Sequence, residues 1–200
     1  AFTKKTSFNY DSQPISCLRT PPKYTEKRVE WTDSDLSTIR IATTSYSRVE
    51  TADDVVMTVT HPDQARSRQL FPKASDPLKY LVAGQVRRTE TIDASGTLVS
   101  STNFEWENFQ NGVTNAFGAA RQRAVIQVID PLARWRRTQF SYDLNYPSLV
   151  VKETRFGFDD ERLLAGAEFS KEIIFVRRPD YIEANLLSLP ESVRTYFGVS

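Results

Sequence analysis

The feature that most constrains the fold is a succession of short runs rich in Thr, Val, Tyr, Phe and Trp, separated by Asp, Gly, Pro and Ser. β-Branched and aromatic residues favour strands, and the residues between the runs favour turns. In RRTETIDASGTLVSSTNFEW, at residues 87–106, two strand-like arms flank Asp93-Ala94-Ser95-Gly96, where glycine supplies the positive φ of a turn. Because the connections are short, the pattern predicts an all-β chain of antiparallel hairpins.

The same pattern predicts strands along the whole chain. They are expected at residues 4–9, 27–31, 38–45, 48–51, 55–60, 67–71, 85–92, 97–106, 124–129, 136–142, 149–156, 173–177 and 191–196. Residues 51–54 and 61–64 are typical of two further hairpin tips. Residues 115–128 fit either a capped helix or a loop followed by a strand. Residues 159–169 begin with acidic residues and fit a turn or two of helix.

Two short helical turns are also expected. Asp76 is typical of an N-cap, with Pro77 at the first helical position, and Gly84 would end this helical turn. Asp180 is typical of a second N-cap, and Pro190 would end the helical turn that follows it. Each precedes a strand rich in Arg and Thr, so residues 76–106 and 180–200 form a loose internal repeat, although coincidence explains it equally well. We interpret residues 1–200 as a single all-β segment of a longer chain.

The composition argues against several functional classes. The net charge is +1, from 26 basic and 25 acidic residues, and gives no reason to expect nucleic acid or an anionic membrane as a partner. No apolar run approaches the ~20 residues of a membrane-spanning helix. One Cys and one His cannot build a zinc site, and no cofactor or metal site is expected. His61 would serve as a base only if the fold brought Cys17 or a serine beside it.

Acidic pairs and tryptophans leave two alternatives open. The turn carboxylates at 53–54 and 159–161 would serve a hydrolase, although solvated turns explain them better. Trp106 and Trp135 would stack on sugars if they were exposed, but tryptophans more often pack between strands.

The two arms of residues 87–106 contain few large apolar side chains. In a sandwich, one face of each strand lies in a dry core. A wall with solvent or cargo on both sides needs cross-strand pairs but no continuous apolar face, and threonine suits such strands. On composition alone, a two-layer β-sandwich and a single-layer wall are equally compatible with the chain.

Several motifs resemble the Rhs-repeat, or YD-repeat, family. Tyr-Asp pairs occur at Tyr142-Asp143 and at Tyr10-Asp11. The phrase at residues 129–134 contains Asp130-Pro131 and is similar to the family's Asp-Pro-Leu-Gly-Arg. The hairpin phrase around Asp93 and Gly96 resembles a third family element. Only two true Tyr-Asp pairs occur, at irregular spacing, whereas a regular array would show one per ~20 residues.

The resemblance implies an antiparallel β-ribbon that forms part of a curved shell. In this family, such shells enclose a toxin domain or, in teneurin-like proteins, act in adhesion. It therefore implies a secreted or cell-surface, non-catalytic structural segment, with the rest of the parent chain and an enclosed toxin domain as partners. The Gly-Leu step expected after Asp130-Pro131 for self-cleavage is missing. The alternative is a stand-alone carbohydrate-binding or adhesion module.

Overall fold

The computed structural model describes residues 4–10, 24–32, 38–73, 84–109, 119–129, 134–146, 148–159 and 167–199. These residues form twelve strands and one short helix. They are β1 Lys4–Tyr10, β2 Tyr24–Thr32, β3 Ile39–Glu50, β4 Asp54–Thr60, β5 Arg66–Pro72, β6 Arg88–Ile92, β7 Leu98–Phe109, β8 Ala119–Ile129, β9 Arg134–Tyr142, β10 Val150–Asp159, β11 Ala167–Phe175, α1 Pro179–Glu183 and β12 Pro190–Val199.

All twelve strands belong to one open sheet, and their order in the sheet is their order in the chain. Every pairing is antiparallel, so the chain forms a continuous meander in which β1 and β12 are the edges. The all-β antiparallel prediction is confirmed. The sandwich alternative is not what the described residues form, because they build a single sheet whose strands contact their neighbours in sequence.

Most strand predictions are confirmed, but with shifted ends: β6 begins at Arg88 rather than at residue 85, and β11 ends at Phe175 rather than at residue 177. One division into two strands is wrong. The predicted strands at 38–45 and 48–51 are a single strand, β3. Tyr46 and Ser47 show none of the features of a turn, because they continue the ladder opposite Val59 and Thr58 of β4. In the two ambiguous segments, the described residues are strands from Ala119 and from Ala167 onward.

The predicted hairpin tips at 51–54, 61–64 and 93–96 each connect consecutive strands. The predicted helix near residue 180 is also present, but its start differs. Arg178 is the N-cap, Pro179 is the first helical residue, and Asp180 lies in the first turn rather than at the cap. Proline suits the first position because its missing N–H needs no partner there. Residues 76–83, the predicted first helical turn, lie outside the described residues.

The strand register divides the central side chains between two faces, because directly opposed residues point the same way. We define the Arg68 face by the row Arg68, Glu90, Ser101, Val128 and Trp135. We define the Thr89 face by the next row, which contains Gln69, Thr89, Thr102, Gln127 and Arg136.

Very little of the described structure forms an apolar core. The buried hydrophobic residues are Ile92, Ala124 and Trp135, and no large side chain is fully buried. All three belong to the Arg68 face, as do the buried polar residues Asp54 and Ser101. Such scarce apolar burial among the described residues fits a sheet without a second layer.

Cross-strand pairs take the place of a core. Val55 lies opposite Phe71, and Phe104 lies opposite Val125. Phe169 and Phe197 lie opposite each other, with an edge-to-face contact of 5.7 Å between ring centroids. Such pairs each contribute roughly 0.2–1 kcal/mol to sheet stability. A strand of Thr, Ser, Arg and Glu is therefore held mainly by its ladder and by contacts with the adjacent strands.

Candidate functional site

Tyr142, the first residue of a family-like Tyr-Asp pair, links two strands. It is the last residue of β9, and its hydroxyl donates a hydrogen bond of 2.5 Å to the backbone carbonyl of Gln122 in β8. The Arg121 guanidinium lies 4.5 Å from the ring centroid and is itself paired with Glu107 at 2.5 Å. The regular pairing of β8 with β9 ends at Ala124. Tyr142 thus holds the two strands together beyond their ladder.

The environment of Tyr142 favours the neutral phenol. Burial of the ring raises the pKa of Tyr142 above its usual value of 10.0, and Arg121 only partly offsets this effect. A neutral hydroxyl can donate to a backbone carbonyl, whereas a phenolate cannot.

Asp143 begins the turn between β9 and β10. Its Oδ1 atom accepts the N–H groups of Asn145 at 2.8 Å and Tyr146 at 2.9 Å. Its own N–H donates to the carbonyl of Leu149 at 2.9 Å. A side chain that bonds to the backbone two residues ahead is the device by which Asp starts a turn. The Asp143 side chain therefore orders the turn between β9 and β10.

The second carboxylate oxygen of Asp143 reaches a distant part of the chain. Oδ2 pairs with Arg177, which follows β11, at 2.6 Å. Arg177 also lies 4.6 Å from the ring centroid of Tyr146 and donates to the carbonyl of Leu187 at 3.3 Å. Desolvation raises the pKa of Asp143, but the bonds from Arg177 and from the turn N–H groups outweigh it, so the pKa is lowered overall.

Tyr142, Asp143 and Arg177 together are called the Tyr-Asp clasp below. The clasp connects β8, the β9–β10 turn and the segment after α1. The Tyr142 hydroxyl, both Asp143 oxygens and both terminal nitrogens of Arg177 form bonds within the protein, so the clasp fixes the structure at this point. The Tyr-Asp motif marks Tyr142 and Asp143 in the sequence, whereas no motif or spacing marks Arg177.

The predicted turn at Asp93 and Gly96 is closed, like the turn at Asp143, by an aspartate carboxylate that accepts hydrogen bonds from the residues that follow it. Asp93 Oδ1 accepts the N–H of Thr97 at 2.8 Å and the hydroxyl of Ser95 at 2.6 Å. The hydrogen bond from the Ser95 hydroxyl lowers the pKa of Asp93 most, and the bond from the Thr97 N–H lowers it further. Gly96 has a φ of 92°, as expected for the glycine of this turn.

The other predicted residues are separate from the clasp. Tyr10 ends β1 opposite Tyr24, after an irregular step in the ladder, and is 55% exposed. Asp11, Asp130 and Pro131 lie outside the described residues.

The two predicted ligand platforms differ in exposure. Trp135 is only 6% exposed, so its ring does not present an open stacking surface. Trp106 is half-buried, and its indole N–H donates to the carbonyl of Val86 at 2.9 Å. Of the two, Trp106 is the more exposed.

The fold brings a serine beside the single histidine. His61 Nε2 lies 2.9 Å from the hydroxyl oxygen of Ser67. Nearby Asp63 is used in the turn, where its carboxylate accepts the N–H of Ala65 at 3.0 Å. Within the described part of the chain, no carboxylate is hydrogen-bonded to the ring, so the pair lacks the third group that orients a catalytic base. The contact closes the β4–β5 hairpin.

No helix among the described residues has the length and apolar character needed to cross a membrane. Nor do the described strands and turns group three or more His, Cys, Asp or Glu side chains in a way that suits a metal ion.

Comparison with protein-family models, curated proteins and solved structures gave no match for this chain.

Proposed function

We propose that the chain is a non-catalytic structural segment of an Rhs/YD-repeat-like shell, one that encloses or presents a toxin or adhesive region. The observation that carries the proposal is the single sheet of twelve strands, paired in chain order. Such a sheet grows by adding hairpins at an edge, so it suits a wall that continues into further chain on either side.

The distribution of side chains supports a wall with both faces in use. The most buried positions on the Arg68 face include the polar residues Asp54, Ser101 and Ser170. A face of this kind tolerates water or a polar partner, whereas the inner face of a sandwich is apolar.

The Tyr-Asp clasp supports the resemblance at the level of chemistry. The tyrosine ties its strand to the preceding strand, and the aspartate begins the turn to the next. A Tyr-Asp pair at the end of a strand thus joins that strand to the preceding one and orders the turn to the next, which is the task that a repeated motif in a hairpin ribbon would perform.

The proposed partners are the remainder of the parent chain, at the edges of the sheet, and an enclosed toxin or adhesive region. The proposed location is secreted or at the cell surface, as in the family that the motifs resemble.

Small-angle X-ray scattering of the purified chain tests the proposal. A single sheet is about 10 Å thick. We expect the scattering curve to contain a thickness term of that order and a plate-like cross-section. A compact globule with the radius of gyration of about 16 Å that suits 200 residues would contradict the wall.

The alternative is a carbohydrate-binding or adhesion module, and the partial exposure of Trp106 is the feature that favours it. A glycan screen that follows tryptophan fluorescence tests this alternative. Quenching that disappears in Trp106→Phe but persists in Trp135→Phe would support sugar binding at Trp106. Unchanged fluorescence with every glycan would remove it.

A further inference from the structure

One face of the central sheet carries more cations than anions. Four arginines of β5, β6 and β9 lie on the Arg68 face: Arg66, Arg68, Arg88 and Arg137. They are called the arginine face below. The carboxylates on the same face of strands β5–β9 that contact them are Glu90 and Glu105.

The ion pairs of this face leave donor capacity unused. Glu90 is shared between Arg68, at 3.4 Å, and Arg88, at 2.8 Å. Glu105 pairs with Arg137 at 3.1 Å. Because a guanidinium has five N–H donors and a carboxylate has about four acceptor positions, two carboxylates cannot satisfy four arginines.

The buried polar atoms without a partner at the arginine face are hydrogen-bond donors. In the described structure, the buried Nε atoms of Arg68 and Arg137 have no hydrogen-bond partner, and neither does the indole nitrogen of Trp135. The guanidinium of Arg66 lies beside Gly96 in the β6–β7 turn, with Nη2 3.4 Å from the position that a Cβ would take there. Arg66 has no ion-pair partner among the described side chains. The face therefore has a surplus of donors and of positive charge.

The arginines remain accessible to a partner. The side chains of Arg68 and Arg88 are 43% and 34% exposed, whereas Glu90 between them is 12% exposed. Arginines held by a less exposed carboxylate present their outer N–H groups in a fixed orientation, which is the arrangement that favours bidentate carboxylate recognition.

We propose that the arginine face binds an acidic polypeptide segment laid across strands β5–β9. The carboxylates of the segment supply the acceptors that the face lacks. The inference does not depend on the shell proposal, because a stand-alone module would have the same surface.

The spacing of charges favours a peptide over a nucleic acid. Glu90 and Glu105 lie among the arginines, so a phosphate chain with one charge per nucleotide would meet anions as well as cations. The whole chain has a net charge of only +1 and gives no long-range attraction to a polyanion. A peptide can place separate carboxylates over separate arginines.

Fluorescence anisotropy with a labelled peptide of alternating Glu and Gly tests the proposal. The variant is Arg66→Gln with Arg68→Gln in the full 200-residue chain. The matched control is Arg48→Gln with Arg178→Gln, which removes the same charge from the exposed pairs with Glu50 and Asp180. We expect binding to weaken by about tenfold or more in the first variant and less than about twofold in the control.

A charge-conserving variant and an oligonucleotide of equal charge complete the test. Arg66→Lys with Arg68→Lys keeps the charge, and we expect it to retain part of the binding, which separates lost recognition from lost folding. Equal weakening in the control, or no binding by the unmodified chain, would overturn the proposal. Tighter binding of a single-stranded oligonucleotide of equal charge, with the same dependence on Arg66 and Arg68, would replace the acidic peptide by a phosphate chain.

Discussion

Asp143 performs two structural tasks with one carboxylate. One oxygen orders the β9–β10 turn, and the other pairs with Arg177. We expect Asp143→Asn to lower the free energy of unfolding by about 1–2 kcal/mol, because an amide keeps part of the turn bonding but loses the charged pair. Urea denaturation followed by circular dichroism measures the change. Asp180→Asn is the control, since its pair with Arg178 is mostly exposed and contributes about 0–1 kcal/mol. Equal losses in both variants would contradict the role of Asp143.

The lowered pKa of Asp143 predicts how stability depends on pH. Its folded-state pKa lies below the usual value of 3.8, so the stabilisation is fully present above that value and is lost as the pH falls through the folded pKa. Asp93 contributes in the same direction. We expect unfolding free energy to fall between about pH 5 and pH 2, and to fall less in Asp143→Asn. The same acid dependence in the variant and the unmodified protein would show that Asp143 is not the group concerned.

For single residues, the sequence predicts the hydrogen bonds made within a turn, but it does not predict which distant residues form ion pairs. The turn bonds of Asp143 and Asp93 lie within four residues and follow from the residue types. Arg177 lies 34 residues from Asp143, and Arg137 lies 32 residues from Glu105. Such pairs depend on which strands become neighbours, and nothing in the local pattern encodes them.

The β6–β7 hairpin is an element whose geometry depends on one glycine. Gly96 has a φ of 92°, where an L-residue is strained, although the nearest atom to an added Cβ is the flexible end of Arg66. We expect Gly96→Ala to destabilise the protein by about 1–2 kcal/mol through backbone strain. Ala94→Gly in the same turn is the control and should cost less than about 1 kcal/mol. Thermal unfolding compares them, and an unchanged midpoint for Gly96→Ala would refute the strain.

Element types were predictable because strand composition and turn residues agree along the chain. The hairpins at residues 51–54 and 93–96 show this, since each combines a turn former with β-branched flanks. The boundaries were less predictable. β3 passes through Tyr46 and Ser47 because its partner β4 continues the ladder, and sheet pairing overrides local preference.

On the scale of the whole molecule, the scarcity of apolar burial has a thermodynamic consequence. Ile92, Ala124 and Trp135 are the buried hydrophobic residues of the described structure. Because apolar exposure raises heat capacity on unfolding, we expect ΔCp per residue to lie below the usual ~12–15 cal/mol/K. Differential scanning calorimetry measures this quantity. A value inside the usual range would mean that apolar surface is buried elsewhere, for example between copies of the chain.

The edges of the sheet predict how copies of the chain interact. Among the described strands, β12 is an edge of the sheet and is paired on one side only, and its Val193 and Phe197 are 50% and 79% exposed. An exposed apolar edge is a template for pairing with another strand, so we expect the weight-average mass in light scattering to rise with concentration. A lysine on the edge opposes such pairing. Val193→Lys should therefore shift the mass toward the monomer.

Met57→Lys is the control for the edge, because Met57 is 37% exposed but lies in β4 with a ladder partner on each side, Arg48 of β3 and Gln69 of β5. It also replaces an exposed apolar side chain by lysine but does not touch an edge, and it should leave association unchanged. If Met57→Lys suppresses association as much as Val193→Lys does, the copies meet through the faces of the sheet. If the unmodified chain is a monomer at high concentration, β12 does not act as a template, and a wall that extends from this edge loses its physical basis.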